Sequence, residues 1–273
     1  MAGAQAPWAV WTTDHTQFVY DLAYPNIPYT VTLHDVYHSL VCYRLSDARN
    51  KFASVALNVV ERVLTQPEDS EHACEEESKD EKLQRIRECV AFLLGDGKKA
   101  VPFHWGNWGD GVKKTGTFQG SLILHTFANA HLCYSKALGP QDPFLKNHED
   151  PPIGALILSI QAVERALSFF KTGEKKIPNA SAGHFSVDNW GDHTVIVDGK
   201  PKKVKRATQY VKTLQGWKKE KWEEYKKAAG EHCEESHRKR AGVIVIDEDE
   251  DEVAEDSDDD FIVQSDTDEP EVA

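Results

Sequence analysis

Residues 46–67 read SDARNKFASVALNVVERVLTQP. Within them Phe52, Val55, Ala56, Val59, Val60, Val63 and Leu64 recur at the i, i+3, i+4, i+7 spacing that gathers apolar side chains on one face of an α-helix. Ser46-Asp47 offers side-chain oxygens suited to an N-cap, and Pro67 cannot continue a helix. A strand would alternate apolar and polar residues with a period of two, and this stretch does not. It decides for a helical fold, and its neighbours extend that reading.

Upstream, Leu33, Val36, Tyr37, Leu40 and Val41 predict a short separate helix over 33–45. Residues 1–32 mix aromatics with Pro25 and Pro28 without a helical period, which predicts an extended arm. Downstream, residues 68–80 are acidic and polar and read as an exposed loop. Leu83, Ile86, Val90 and Leu93 then predict a helix stopped by Gly95-Asp96-Gly97. Phe103 to Gly111 packs aromatic rings and His104 beside three glycines and reads as a structured loop. Residues 118–138 are apolar nearly all round, as a central buried helix would be. Pro151-Pro152 opens another helix, with Ile153, Leu156, Ile157, Ile160, Val163, Leu167 and Phe170 on one face and Thr172-Gly173 at its end. Thr194 to Val197 is a short β-like run ended by Asp198-Gly199. Residues 203–229 predict one long basic amphipathic helix through Tyr210, Val211, Leu214, Trp217, Trp222 and Tyr225. The expected fold class is mainly α. A single helical-bundle-like domain of about six helices spans 33–230, behind an irregular aromatic arm at 1–32 and before a disordered acidic tail at 231–273.

Charge divides the chain sharply. Its 273 residues carry 45 acidic and 32 basic side chains, a net of -13. Fifteen of the acids lie in Val243–Ala273, which has no Lys or Arg, so the rest of the chain is close to neutral. The acidity belongs to the tail. No run of eighteen apolar residues is present, so no membrane span is expected, and the N-terminus lacks the pattern of a signal peptide. Five cysteines without a C-x-x-C pattern fit reduced thiols.

Several short features in residues 46–229 form a recognisable order. They are the helices at 46–65 and 81–94, Gly116-Thr117-Phe118, the turn from Ser135 to Gly139, and Pro152-Ile153-Gly154-Ala155-Leu156. The end of the helix from Leu167 to Gly173 and the segment from Phe185 to Trp190 complete it. In this order the chain resembles an uncharacterised helical domain of unknown function expanded in mushroom-forming (basidiomycete) fungi. The resemblance implies an all-α fold. It assigns no activity and carries no catalytic residue across.

The tail carries the most specific functional signal. Val243, Ile244, Val245 and Ile246 form an aliphatic run followed by Asp247, Glu248, Asp249 and three further acids. Such a run resembles a SUMO-interacting motif. An extended apolar strand pairs with an exposed sheet edge and drops alternate side chains into a groove, while flanking carboxylates meet cations around it. Phe261, Ile262 and Val263, preceded by three Asp, form a weaker second copy. Ser257 and Ser265 each have an acid three residues on, the pattern of an acidophilic casein-type kinase site, and phosphate there would add charge to the motif. The plain competing reading is a solubilising tail with incidental aliphatics.

Lys200, Pro201, Lys202, Lys203, Lys205 and Arg206 resemble a monopartite nuclear-import signal read by importin. A solvated basic helix face is the plain alternative. Between Gly199 and Arg240 there are fourteen Lys and Arg against six Asp and Glu. Nucleic-acid phosphates could use that surplus, but the aromatics nearby sit at core spacing, so nucleic acid is the less favoured partner. His34-Asp35-Val36-Tyr37-His38 superficially matches a zinc-binding helix but has Asp where a general-base Glu belongs, and no third ligand follows. No metal and no cofactor is expected. No nucleophile elbow, phosphate loop or dinucleotide fingerprint occurs. The sequence therefore favours a non-catalytic nuclear protein-interaction module whose tail binds SUMO or SUMO-modified partners. The alternatives are an enzyme with its site near the His104/Trp105/Trp108 loop, a mobile-element-derived chromatin factor, and, for location, the cytoplasm.

Overall fold

The structure is a computed structural model that describes residues 7–66, 77–95, 101–108, 113–133, 151–178, 180–197, 200–204 and 206–233. These residues are mainly α. Eight α-helices and two small antiparallel hairpins run in the order α1 (Thr13–Ala23), α2 (Val36–Thr65), α3 (Lys79–Leu94), β1 (Trp105–Asn107), β2 (Thr115–Thr117), α4 (Ser121–Phe127), α5 (Ile153–Phe169), α6 (Val187–Trp190), β3 (His193–Val197), β4 (Lys200–Val204), α7 (Thr208–Gln215) and α8 (Lys219–Gly230). None of these helices is long and apolar enough to cross a membrane.

The stretch that decides the fold is helical, but it starts ten residues earlier than its sequence suggests. The two helices expected over 33–45 and from Ser46 are one, α2. Asp35 is its N-cap, accepting from His38 N at 2.8 Å and from Thr32 N at 2.7 Å. Those two bonds hold the Asp35 carboxyl below its usual range. Ser46 and Asp47 lie on the exposed face in mid-helix, where backbone N–H groups already have i−4 acceptors and need no cap. The C-terminal half of α2 buries Phe52, Ala56, Val59, Val60 and Leu64, as the periodicity predicts.

The arm expected to be extended contains a helix. In α1, Thr12 and His15 form a capping box, and only Thr16 and Tyr20 are buried. Thr16 Oγ1 meets His38 Nδ1 at 2.9 Å, and the Tyr20 ring meets Tyr37 edge-on at 5.0 Å. A buried face two residues wide, one of them polar, leaves no apolar period in the sequence.

Helix α5 is the axis of the core. Leu156, Ile157, Ile160, Val163, Ala166 and Leu167 are fully buried, against α2 on one side and α4, α3 and α7 around it. The Pro152 N-cap matches the expected start. At its end Gly173 has φ +87°, and a Cβ there would stand 2.5 Å from Leu83 O of α3, so no other residue fits. Helix α3 stops at Gly95, as expected, but begins at a Ser78/Glu81 capping box inside the stretch expected to be loop through residue 80. Helix α4 follows Gly120, whose missing Cβ would lie 1.9 Å from Phe103 O. It runs on into a π-helical turn, Ala128–Leu132, packed against α8 through Phe127 and Tyr225 with ring centroids 5.2 Å apart. The remainder of the helix expected over 118–138 lies outside the described residues.

The long basic helix expected over 203–229 is three elements. Lys200–Val204 pairs with β3 in the register His193↔Val204, Val195↔Lys202 and Val197↔Lys200. Asp192 then accepts from Ala207 N at 2.9 Å and Thr208 N at 3.2 Å and starts α7. Burial acts to raise the Asp192 pKa, but these bonds, together with Thr208 Oγ1, hold it low. Gly216 and Trp217 separate α7 from α8, and Trp217, Trp222 and Tyr225 are buried together. Leu214, Trp217, Trp222 and Tyr225 are core, as their spacing predicts. The breaks leave no local signal, because the acceptor that starts α7, Asp192, is fifteen residues from Ala207.

Candidate functional site

The tail residues Val243, Ile244, Val245, Ile246, Asp247, Glu248, Asp249, Phe261, Ile262 and Val263, with Ser257 and Ser265, lie outside the described residues, as does Lys205. The rest of the basic run is placed. Lys200, Pro201, Lys202 and Lys203 are exposed on β4. Arg206 turns inward. Its guanidinium lies 4.8 Å from the Trp190 ring centroid and donates through Nη1 to Asn189 O.

The His104 loop forms the first hairpin. His104 closes a 3₁₀ turn after Pro102, and β1 then pairs with β2 as Trp105↔Thr117 and Asn107↔Thr115. The His104 ring is enclosed by Phe103, Phe118 and Tyr210 at 4.4, 5.4 and 5.9 Å. Burial among these rings drives its pKa down to about 4, so the imidazole is neutral at physiological pH. Its Nε2 has no hydrogen-bond partner among the described residues. Trp108 stands at the loop's edge under the Lys114 ammonium at 3.9 Å. The other histidines do not converge here. His125 stacks on His232 at 4.1 Å, and His131 packs on Phe127 at 5.2 Å. Burial lowers the His131 pKa to about 4, with Lys226 adding to the effect. His34 precedes α2 and is exposed, whereas His38 is buried and engaged with Thr16 and Cys42. The described residues contain no group of three or more potential metal ligands.

The structure brings together residues that the sequence reading left unconnected. A half-open cleft of about 280 Å³ is lined by Leu94, Glu164, Ser168, Lys171, Ala182, Asn189, Trp190 and Arg206. Glu164 and Arg165 are adjacent on α5 and face different tasks. Arg165 clamps the loop before α6, donating to Gly183 O through Nε at 3.0 Å and Nη2 at 2.6 Å while covering Phe169. Glu164 lies in the cleft. Burial raises its pKa, and Arg206 and Lys171 partly offset that rise. Tyr210 of α7 is raised well above its usual range by burial, with Glu164 contributing. The available signal is a charged pair, Glu164-Arg165, within the largely apolar helix α5, where an uncompensated carboxylate is costly.

A second surface is apolar. Val36, Leu40 and Tyr43 are exposed along the first turns of α2 and line a shallow groove with His34, Asp35 and Ser39.

The sequence pattern of one family, DUF6532, a domain of unknown function, matches residues 5–194. Among curated proteins and among solved structures, none matches the chain.

Proposed function

The chain belongs to the DUF6532 family of domains of unknown function, and from that premise we propose that it is a non-catalytic nuclear interaction protein. In this reading the helical body is the docking platform, of the kind expanded in mushroom-forming fungi. The acidic tail recruits SUMO or SUMO-modified partners by strand addition. The observation that carries the reading is Val243-Ile244-Val245-Ile246 followed by six consecutive acids. Four consecutive β-branched residues are costly to leave in water and invite aggregation, so such a run beside a charge run supports a partner that covers it. The second motif, Phe261–Val263, would add avidity towards a multi-subunit SUMO chain. Phosphate on Ser257 and Ser265 would strengthen contact with a basic groove rim.

The exposed lysines of β4 support import through importin. Lys200, Lys202 and Lys203 stand on a solvent-facing strand of a two-stranded hairpin. Arg206 contributes less to that reading, because its guanidinium is taken up by Trp190 and Asn189. The enzyme alternative is weaker for a positive reason. Burial among three aromatic rings holds the His104 pKa at about 4, which makes the ring a weak general base near neutral pH.

The test is a titration of the full-length chain into isotope-labelled SUMO, read by NMR. The expected result is shifts confined to the groove strand and its adjacent helix, lost when Val243, Ile244, Val245 and Ile246 are all changed to Ala. No shifts at near-millimolar protein would remove the reading.

A further inference from the structure

We propose that the cleft between the C-terminal half of α5, α6 and the turn before α7 is a binding site for a small molecule carrying a phosphate group, held by Arg206 and Lys171 above Glu164. The reading is independent of the tail.

The geometry carries it. Arg206 is fixed in place on two sides, by the Trp190 ring and by the Asn189 carbonyl. Only Nη1 is used there, and the rest of its fork has no acceptor among the described residues. The neighbouring Arg165 shows the contrast, since two of its nitrogens close on one carbonyl and it serves the loop alone. A guanidinium with a locked orientation and spare donors, opening on a cleft, is the arrangement that recognises planar or tetrahedral oxyanions. Lys171, just past the end of α5, is exposed and near enough to Glu164 to favour its ionisation. It adds a second, mobile positive charge at the same mouth.

Glu164 makes the site selective rather than merely cationic. It has no hydrogen-bond donor among the described residues, and it shares the cleft with both cations. An oxyanion that carries a proton can donate that proton to the carboxylate. Inorganic phosphate keeps at least one proton at neutral pH, and a phosphate monoester keeps one below its second pKa of about 6, whereas sulfate carries none. Sulfate is therefore repelled when Glu164 is ionised and admitted when Glu164 is neutral. The volume leaves room for a compact organic part beside the Trp190 ring. The charged and titratable groups facing Glu164 are Arg206 and Lys171, which favour its ionisation, and Tyr210, which stays neutral.

The experiment uses the full-length chain with inorganic phosphate and with sulfate as probes, at constant ionic strength. Phosphate is followed by phosphorus NMR line broadening, and sulfate by its competition with phosphate. The expected result is saturable millimolar phosphate binding, weakened about fivefold or more by Lys171→Ala. The sulfate dissociation constant, obtained from the competition with the phosphate dissociation constant measured separately at each pH, should rise as Glu164 ionises and should stay constant with pH in Glu164→Gln. Sulfate keeps its charge throughout, and correcting for phosphate's own affinity at each pH leaves Glu164 as the titrating group. Both substitutions lie at the cleft surface, and circular dichroism confirms that each variant folds. Absence of saturation, or equal binding by parent, Lys171→Ala and Glu164→Gln, would show that Arg206 is a structural arginine only and would overturn the proposal.

Discussion

Gln161 lies at the middle of α5 and is almost fully buried. Its Oε1 accepts from Trp8 Nε1 at 2.8 Å, and its Nε2 donates to Trp190 O at 2.7 Å. One amide thus ties the N-terminal segment and the end of α6 to the central helix, across 153 and 29 residues of chain. Changing Gln161 to Leu preserves size and removes both bonds. Trp8 and Trp190 are each only 9% exposed, so water cannot replace the lost partner. A buried polar group left unpaired costs about 1–3 kcal/mol, so two cost about 2–6 kcal/mol. The added apolar contact of Leu returns about 1–2 kcal/mol. With mid-range values of about 4 and about 1.5 kcal/mol the net loss is about 2.5 kcal/mol, or about 5–10 °C in Tm for a body of this size. Urea unfolding followed by far-ultraviolet circular dichroism measures it, with an unchanged m-value as the check that both states keep their compactness. Trp8→Phe removes the donor while keeping a smaller aromatic ring, and combining it with Gln161→Leu should show a coupling of about 1 kcal/mol. A Gln161→Leu variant within about 0.5 kcal/mol of the parent, or strictly additive effects, would refute the bridge.

Other perturbations test other parts of the molecule. Leu156→Ala empties a fully buried position on α5 and should cost about 2–5 kcal/mol by the same unfolding assay. Gly120→Ala drives a Cβ against the Phe103 carbonyl and should destabilise by about 1–3 kcal/mol, measured as a fall in the urea midpoint at constant m. Val36→Ser and Leu40→Ser alter exposed side chains of α2 and should move stability by less than about 0.5 kcal/mol, so a larger loss would mean that the groove is covered in solution. Acid should weaken the fold through His104 and His131. Their unfolded-state pKa is near 6.5 and their folded value about 4, so between those values the unfolded chain binds more protons and is favoured. The stabilisation is complete above 6.5 and falls by about 1.4 kcal/mol per pH unit for each ring as pH drops towards 4. Replacing His104 by Phe should flatten the pH profile by one ring's share.

The main helices were legible wherever a wide apolar face meets the core. In α2, α3 and α5 the repeat of Phe52 to Leu64, of Ile86 and Val90, and of Ile153 to Leu167 reflects burial against several neighbours. Where burial is narrow, as in α1 with Thr16 and Tyr20, the period disappears. Where a distant group sets a boundary, local sequence misleads. Ser46-Asp47 is a sound cap pair that α2 passes over because Asp35 already starts the helix, and α7 begins at a carboxylate from another segment. The cleft was invisible for the same reason. Glu164, Lys171, Trp190 and Arg206 are separated by up to forty-two residues and meet only because α5, α6 and the turn before α7 pack together.

Sequence alone determined that the body is mainly α, that its acidity lies in the last thirty-one residues, and that an aliphatic run adjoins that acid. These follow from period and composition, which are properties of neighbours along the chain. Tertiary structure decided that α2 is continuous, that Lys200–Val204 of the basic run is a strand while Arg206 beyond it turns onto Trp190, and that His104 is a neutral ring among aromatics. Each of these depends on which groups exclude water from which others, and that is settled only when distant segments are brought into contact.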